Sequence, residues 1–356
     1  MQKLKFTKDH PLVVCLGFPP FADERFLARL REVPFVEPVV LPIDPDASWA
    51  DVAAHVAYPE PPPWATSVAA EREAALARSH VLITLHTPDQ LDRRAPNLAW
   101  IQGSGAGVEQ FAEAGIDPHK VVLTNSAGVA ATSMSEWVIG RLLQVFKRFR
   151  AADEFQQAHL FKRSYGRTFL GSTIGIVGLG HIGRAVAVRA RAMGCRTLGL
   201  RRSARSGEQS PYVDQLFAAD ELHTMLGGCD AVVIAAPATP ETHHLMDAKA
   251  LAALPRHAVL VNVARGSLLD ESELARVMLE EPLAAAILDV FEPEPLDPAS
   301  PLWDIPNVYI SAHSSVSLDH YVDDVFDLFL DNVQRFVSGE ELQNRVDMKM
   351  LGFKSI

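Results

Sequence analysis

The stretch Thr173–Gly194, TIGIVGLGHIGRAVAVRARAMG, restricts the possible folds of this chain more than any other. It opens with a short β-branched run, Ile174 to Val177, of the length and composition of a buried strand. It then turns through Gly178-Leu179-Gly180-His181-Ile182-Gly183 into Arg184–Met193, a run of good helix formers. In such a turn Gly178 permits the tight bend and Gly180 lets a pyrophosphate approach the backbone. Gly183 lets the helix lie close on the strand. The unpaired N–H groups and positive dipole end of the new helix then face the phosphates, which makes Gly178, Gly180, His181, Ile182 and Gly183 the candidate cofactor-binding residues of the turn. A glycine turn placed between a strand and a helix predicts a dinucleotide site in an α/β domain.

With 356 residues the chain is too long for one ordinary core, and two domains are expected. The net charge of −11 argues against nucleic-acid or anionic-membrane partners. Cys15, Cys195 and Cys229 form no metal-type spacing and read as reduced thiols of a cytoplasmic protein. No apolar run reaches 18 residues, so no transmembrane helix is expected, and Leu12–Phe18 lacks the features of a signal peptide.

Strands are expected at Leu12–Gly17, Val39–Leu41, Val81–Leu85, Ala99–Gln102 and Val121–Thr124, with helices at Phe21–Arg31 and Val68–Arg78. Tyr58–Trp64 reads as a proline-rich loop. Val129–Arg150 reads as one long apolar helix, buried against its own domain or a second subunit, followed by a connecting run, Ala151–Gly171. After the glycine turn, strands are expected at Thr197–Leu200, Ala231–Ala236, Ala258–Val263, Ala284–Val290 and Val308–Ser311. Helices are expected at Glu271–Leu279, capped by Asp270, and at Leu318–Val337. The alternation predicts two doubly wound, parallel-sheet, Rossmann-like domains.

A cofactor without a 2′-phosphate usually meets an acidic residue at the end of the second strand. Here Arg201, Arg202 and Ser203 stand there instead. Guanidinium groups bind phosphate oxygens bidentately, so NADP(H) is expected over NAD(H). The alternative is a solvated basic turn.

Reducing a 2-oxo acid needs a cation for the carboxylate and carbonyl, an acid for the incipient alkoxide, and a group that keeps the acid charged. Arg265, Glu294 and His313 follow successive strands, where doubly wound sheets place their sites. Singly, each has a plain alternative: a strand cap, a solvated loop carboxylate, a turn histidine. In Gln102–Val108 a glycine-dense turn follows a strand and is either a simple turn or a receptor for a carboxylate.

Over nearly its whole length the chain resembles the D-isomer-specific 2-hydroxyacid dehydrogenases. The resemblance rests on AWIQGSGAGVEQF, TIGIVGLGHIGRAVA, APATPETHHLM, LVNVARGSLLDESEL, ILDVFEPEPL and PLWDIPNVYISAH, in the family's order. It implies that Arg265 binds substrate, that His313 is the general acid–base and that Glu294 is its carboxylate partner. It implies that the N–H groups of Ala106 and Gly107 receive the substrate carboxylate. Ala236, Pro237, Thr242, Val263 and Ala264 would line the cofactor cleft, with Asp289 at the nicotinamide amide. It further implies a cofactor domain, 126–317, inserted in a substrate domain, 1–125 and 318–356, with the active site in the cleft between them. Loops near Phe18–Phe21 and Tyr58–Trp64 would shape the side-chain pocket. A homodimer through the cofactor domain, largely around Ser135–Phe149, is implied as well.

The basic turn at Arg201 resembles that of the glyoxylate/hydroxypyruvate reductases, so a small 2-oxo acid of that class is the expected substrate. Alternatives are an NAD-dependent 3-phosphoglycerate or D-lactate dehydrogenase and, from another class, a nucleotide-sensing corepressor-like protein. No metal is expected, because His243 and His244 are adjacent rather than one helical turn apart.

Overall fold

The structure, a computed structural model, describes residues 6–42, 69–85, 88, 90–112 and 114–348. The Tyr58–Trp64 loop lies outside these. The chain divides into two compact units, Met1–Val129 with Asp319–Ile356, and Ala130–Leu318.

The first unit contains β1 (Leu12–Leu16), α1 (Glu24–Arg31), β2 (Val36–Val40), α2 (Ala69–Arg78), β3 (Val81–Thr84) and α3 (Leu91–Arg94). β4 (Trp100–Gly103) and β5 (Val122–Thr124) complete a parallel sheet of order β2-β1-β3-β4-β5. The expected helix from Phe21 begins later. Pro19–Ala22 forms a 3-10 turn, and the Asp23 carboxylate then caps α1 by accepting the Arg25 N–H at 2.9 Å. Phe18 and Phe21 are buried in the core, leaving Pro19 and Pro20 as the half-buried surface of that turn.

The second unit opens with α4 (Ala131–Phe146) and α5 (Phe149–Gln157), followed by β6 (Thr173–Val177), α6 (His181–Ala192), β7 (Arg196–Leu200) and β8 (Gln215–Phe217). Next come α7 (Leu222–Leu226), β9 (Ala231–Ile234), α8 (Ala248–Ala253), β10 (Val259–Asn262), α9 (Glu271–Glu280), β11 (Ala285–Leu288) and β12 (Val308–Ile310). Its seven parallel strands run β12-β11-β10-β9-β6-β7-β8. The Asp270 carboxylate caps α9 by accepting the Glu273 N–H at 3.0 Å.

Both faces of each sheet are covered, as parallel sheets require. In the second unit Ile174, Ile176, Val233, Val261 and Ile287 point into one core, and Val177, Val232, Ile234, Leu260 and Leu288 into the other. In the first unit Leu12, Val14 and Leu16 join a core that α10 (Tyr321–Ser338) closes. Phe326 and Phe329 of that helix are fully buried beside Phe21, Phe26 and Trp100. Each such ring contributes on the order of 1.5–3 kcal/mol through burial.

The single helix expected over Val129–Arg150 is two. Phe146 ends the first because the returning chain caps it: the Arg167 N–H donates to the Phe146 carbonyl at 2.8 Å. The Arg167 guanidinium also stacks 3.8 Å from the Phe146 ring. Arg148 then takes a left-handed conformation, φ +58°, and α5 starts inside the expected connecting run. α4 buries Val138, Leu142 and Phe146 in its own unit, packed on α6, whereas α5 buries no residue.

Candidate active site

The glycine turn lies between β6 and α6 and packs against the end of β9. Gly178 has φ +99°, and a Cβ there would stand 2.6 Å from Ala236 N and Cα, so only glycine fits. At Gly183 a Cβ would meet the Gly178 carbonyl at 2.0 Å. At Gly180 it would meet no protein atom within 4 Å. Gly180 is the N-cap of α6 and supplies no side-chain cap, so the N–H groups at His181, Ile182 and Gly183 begin the helix without one. This cradle fits the pyrophosphate of a dinucleotide.

Of the neighbouring residues, Ala236 is half-buried, Pro237 exposed, and Val263 and Ala264 buried at the end of β10. The Thr242 hydroxyl accepts the Thr239 N–H at 2.8 Å and donates to the Pro237 carbonyl at 2.8 Å, so it holds this turn in shape.

Arg201, Arg202 and Ser203 follow β7 directly. Arg202 and Ser203 are exposed, while the half-buried Arg201 is paired with Glu208, a residue whose part here sequence reasoning missed. The other Glu208 oxygen accepts the Arg205 N–H at 3.1 Å. That bond, with the Arg201 guanidinium, holds the Glu208 carboxyl below its usual range. Arg201 Nε is buried without a hydrogen-bond partner, a donor that a phosphate oxygen would satisfy.

Arg265, Glu294 and His313 follow β10, β11 and β12, three neighbouring strands of one sheet, and stand at their C-terminal ends. Asn262 ends β10: its side chain accepts the Ala264 N–H at 3.1 Å and donates to the Arg265 carbonyl at 2.9 Å. The Arg265 guanidinium donates to the Ala264 carbonyl at 2.7 Å. A Cβ on Gly266 would stand 2.0 Å from the Phe291 carbonyl carbon, so this glycine lets the two loops touch.

Within the second loop one Glu294 oxygen accepts the Phe291 N–H at 3.0 Å and the other meets His313 Nδ1 at 2.9 Å. Of the two neighbouring glutamates, Glu294 rather than Glu292 therefore meets the imidazole. The Glu294 hydrogen bond raises the His313 pKa, outweighing burial and the Arg265 charge, which lower it. Burial pushes Glu294 up, but the His313 and Phe291 bonds with the His313 and Arg265 charges bring it below its usual range. The three side chains are thus gathered closely enough to act on one another.

Asp289, the residue expected at a nicotinamide amide, stands just past the end of β11. It is fully buried, and its carboxylate accepts Ser311 Oγ at 2.6 Å, the Ser314 N–H at 2.9 Å and the Ser315 N–H at 3.1 Å. Its carbonyl accepts the His313 N–H at 2.8 Å. Asp289 thus builds the turn in which His313 adopts φ +48°.

In the first unit, Ala106 and Gly107 lie in the turn after β4. The carbonyls of Gly105, Ala106 and Gly107 accept from Ser126 N, Asn125 Nδ2 and Gln110 Nε2 at 2.9, 2.7 and 3.3 Å. The Ala106 and Gly107 N–H groups have no partner among the described residues.

His243 and His244, adjacent along the chain, also lie together in space. With Glu292 they bring three metal-binding atoms within 4.8 Å of one another, all on exposed side chains. Among the described residues no helix is long and apolar enough to cross a membrane.

Comparison with known proteins bears directly on this arrangement. Residues 139–315 match the NAD binding domain of the D-isomer specific 2-hydroxyacid dehydrogenases. A glyoxylate/hydroxypyruvate reductase B of Pectobacterium atrosepticum is 30% identical over 266 residues, covering 73% of this chain and 82% of that protein. A glyoxylate/hydroxypyruvate reductase of Arabidopsis thaliana is 29% identical over 282 residues, covering 78% and 85%. The crystal structure of an NADPH-dependent glyoxylate/hydroxypyruvate reductase of Sinorhizobium meliloti, complexed with NADP and sulfate, is similar with a TM-score of 0.76. That structure is 28% identical, over 96% of this chain and 99% of its own. With a glycine cradle on one strand end and an arginine, a glutamate and a histidine on three others, the chain belongs to the D-isomer-specific 2-hydroxyacid dehydrogenase family, NAD(P)-dependent oxidoreductases acting on CH–OH groups.

Proposed function

We propose that this enzyme reduces a small 2-oxo acid of the glyoxylate/hydroxypyruvate class to the D-2-hydroxy acid, with NADPH preferred over NADH. The observation that carries the reading is the His313–Glu294 pair beside Arg265, on the sheet that holds the glycine cradle. When bound, the nicotinamide supplies the hydride. Arg265 binds the substrate carboxylate and polarises the 2-oxo group. His313 donates Nδ1–H to Glu294, which leaves the proton on Nε2 for the forming alkoxide. Glu294 keeps the imidazole protonated, and Asp289 sets the turn that carries it. Ala106 and Gly107, on the substrate unit, offer backbone donors to the substrate carboxylate. Gly178, Gly180, His181, Ile182 and Gly183 hold the pyrophosphate, with Ala236, Pro237, Thr242, Val263 and Ala264 around the cofactor. Arg201, Arg202 and Ser203 take the 2′-phosphate. The kinship to reductases named for glyoxylate and hydroxypyruvate, one of them solved with NADP, supports the substrate and cofactor class. No metal takes part in this reaction scheme.

The test is loss of absorbance at about 340 nm on adding 2-oxo acids with either reduced cofactor, the chromophore being the cofactor's own. Glyoxylate and hydroxypyruvate with NADPH are expected to give the highest kcat/KM. No turnover across a broad panel would sink the reading.

We also propose a homodimer in the cytoplasm, where three buried, unpaired cysteines would stay reduced. The interface expected around Ser135–Phe149 is proposed to extend past its end, since one face of α4 packs in its own core while Trp137, Leu143 and Val145 stay half-buried. Apolar surface continues from Phe149 onward, where Phe149, Leu160, Phe161 and Tyr165 are 52%, 55%, 107% and 77% exposed. A second copy of the chain is the occupant that would bury it. Phe161→Asp with Tyr165→Asp is expected to turn the dimer into a monomer in light scattering. A variant that keeps the parent mass would remove this surface from the interface.

A further inference from the structure

We propose that His243, His244 and Glu292 form a surface site for one divalent transition-metal ion of the zinc class, separate from the reacting groups. The argument begins with the backbone. His243 and His244 are adjacent, and in extended chain their rings would point apart. His244 instead takes a left-handed conformation, φ +48°, a region uncommon for residues with a Cβ but entered by histidine more than by most. The two rings consequently lie side by side, 4.1 Å between centroids and tilted by 39°.

Each ring also has an oxygen facing its Nδ1. His243 Nδ1 lies 3.1 Å from the Ser267 carbonyl, and His244 Nδ1 lies 3.7 Å from Asp270 Oδ2. At His243 a proton donated from Nδ1 to that carbonyl leaves Nε2 with its lone pair, the arrangement that outer partners impose on metal-binding histidines. At His244 the carboxylate is beyond hydrogen-bond distance and supplies charge. The His244 N–H donates to that same Ser267 carbonyl at 2.7 Å, fixing the turn under both rings.

The third group comes from a different part of the chain. Glu292 sits on the loop after β11, and its N–H donates to Glu271 Oε1 at 2.8 Å, so the loop is held where its carboxylate joins the pair. Zinc bond lengths set tetrahedral donors about 3.3–3.5 Å apart. The present limit of 4.8 Å closes by small rotations of exposed side chains. Two imidazoles and one carboxylate, with water completing the shell, suit zinc, nickel or copper(II) far better than magnesium or calcium. Asp270 and Glu271 add negative charge around the donors. A bound ion would tie the turn after Thr242 to the loop that carries Glu294.

The test uses the full chain stripped with EDTA and titrated with zinc chloride by calorimetry, with cobalt(II) absorption as a second readout. One saturable ion per chain is expected. His243→Gln, His244→Asn and Glu292→Gln are each expected to weaken it at least tenfold, with metal-free Tm unchanged; asparagine suits the left-handed backbone at 244. Asp270→Asn, which retains a side chain able to cap α9, is expected to weaken binding about tenfold by removing the negative charge beside His244. No saturable binding to the parent protein, or ligand variants that bind as the parent does, would overturn the proposal.

Discussion

His313→Ala lowers kcat for 2-oxo acid reduction by about 10²–10⁴, the usual worth of a positioned acid. NADPH binding, read by its fluorescence, stays within about twofold, since the glycine cradle belongs to other strands. The loss corresponds to about 3–5 kcal/mol of transition-state stabilisation at roughly 1.4 kcal/mol per factor of ten. The pH profile separates a proton donor from a merely structural histidine. Reduction needs the imidazolium, so its rate is highest at low pH and falls as pH rises through the His313 pKa. That pKa lies above the ordinary value because Glu294 accepts its hydrogen bond. Glu294→Gln removes the negative charge, and the fall moves to lower pH. Oxidation of the 2-hydroxy acid needs the neutral ring and rises through that same pKa, so the variant begins it at lower pH. The sign for stability is the same: a raised folded pKa favours the folded protein below the unfolded value of about 6.5, and this is lost as pH climbs through the folded one. Profiles measured with EDTA present, in both directions, decide the matter; near-normal kcat in His313→Ala would exclude the role.

Arg201→Asp with Arg202→Ala is the second large effect. A 2′-phosphate carries nearly two negative charges, and each charge-assisted hydrogen bond is worth about 1.5–3 kcal/mol. Losing two, and meeting a carboxylate instead, lowers kcat/KM for NADPH by at least about 10²-fold. For NADH, which has a 2′-hydroxyl that Asp can accept from, kcat/KM holds or improves. The Arg201–Glu208 pair adds a contrast. Glu208→Gln frees the guanidinium from an internal competitor and moves the NADPH-to-NADH ratio the opposite way. An unchanged ratio in the double variant would refute the phosphate clamp.

Much of this arrangement is legible in the sequence because both domains are built from buried parallel strands. AVVI is apolar at every position and VLVN at every position but its last, a pattern of strands covered on both faces. What escapes reading depends on distant partners. β8 is three residues between polar turns, too short for any periodic signal. The break at Arg148 has no glycine or proline to announce it and follows from Arg167, some twenty residues on, closing over Phe146. In the site, Arg265, Glu294 and His313 are readable from their strand ends and from family motifs. The buried station of Asp289 is not, because its partners are three serines of the next loop. Nor is the meeting of His243 and His244 with Glu292, for adjacency along a chain excludes a helical pair and leaves a turn free to make one.

Asn262 has a consequence for how the second sheet assembles. Because β9, β10 and β11 are greasy on both sides, sliding one strand past its neighbour by a residue would swap one apolar set for another at little hydrophobic penalty. The amide of Asn262 makes such an error expensive. Shifted, it would be sealed in oil with its donors and acceptor unmet, at about 1–3 kcal/mol for each orphaned group. The one polar side chain in that strand therefore acts as a detent, and alignment of the guanidinium three residues later is inherited from it.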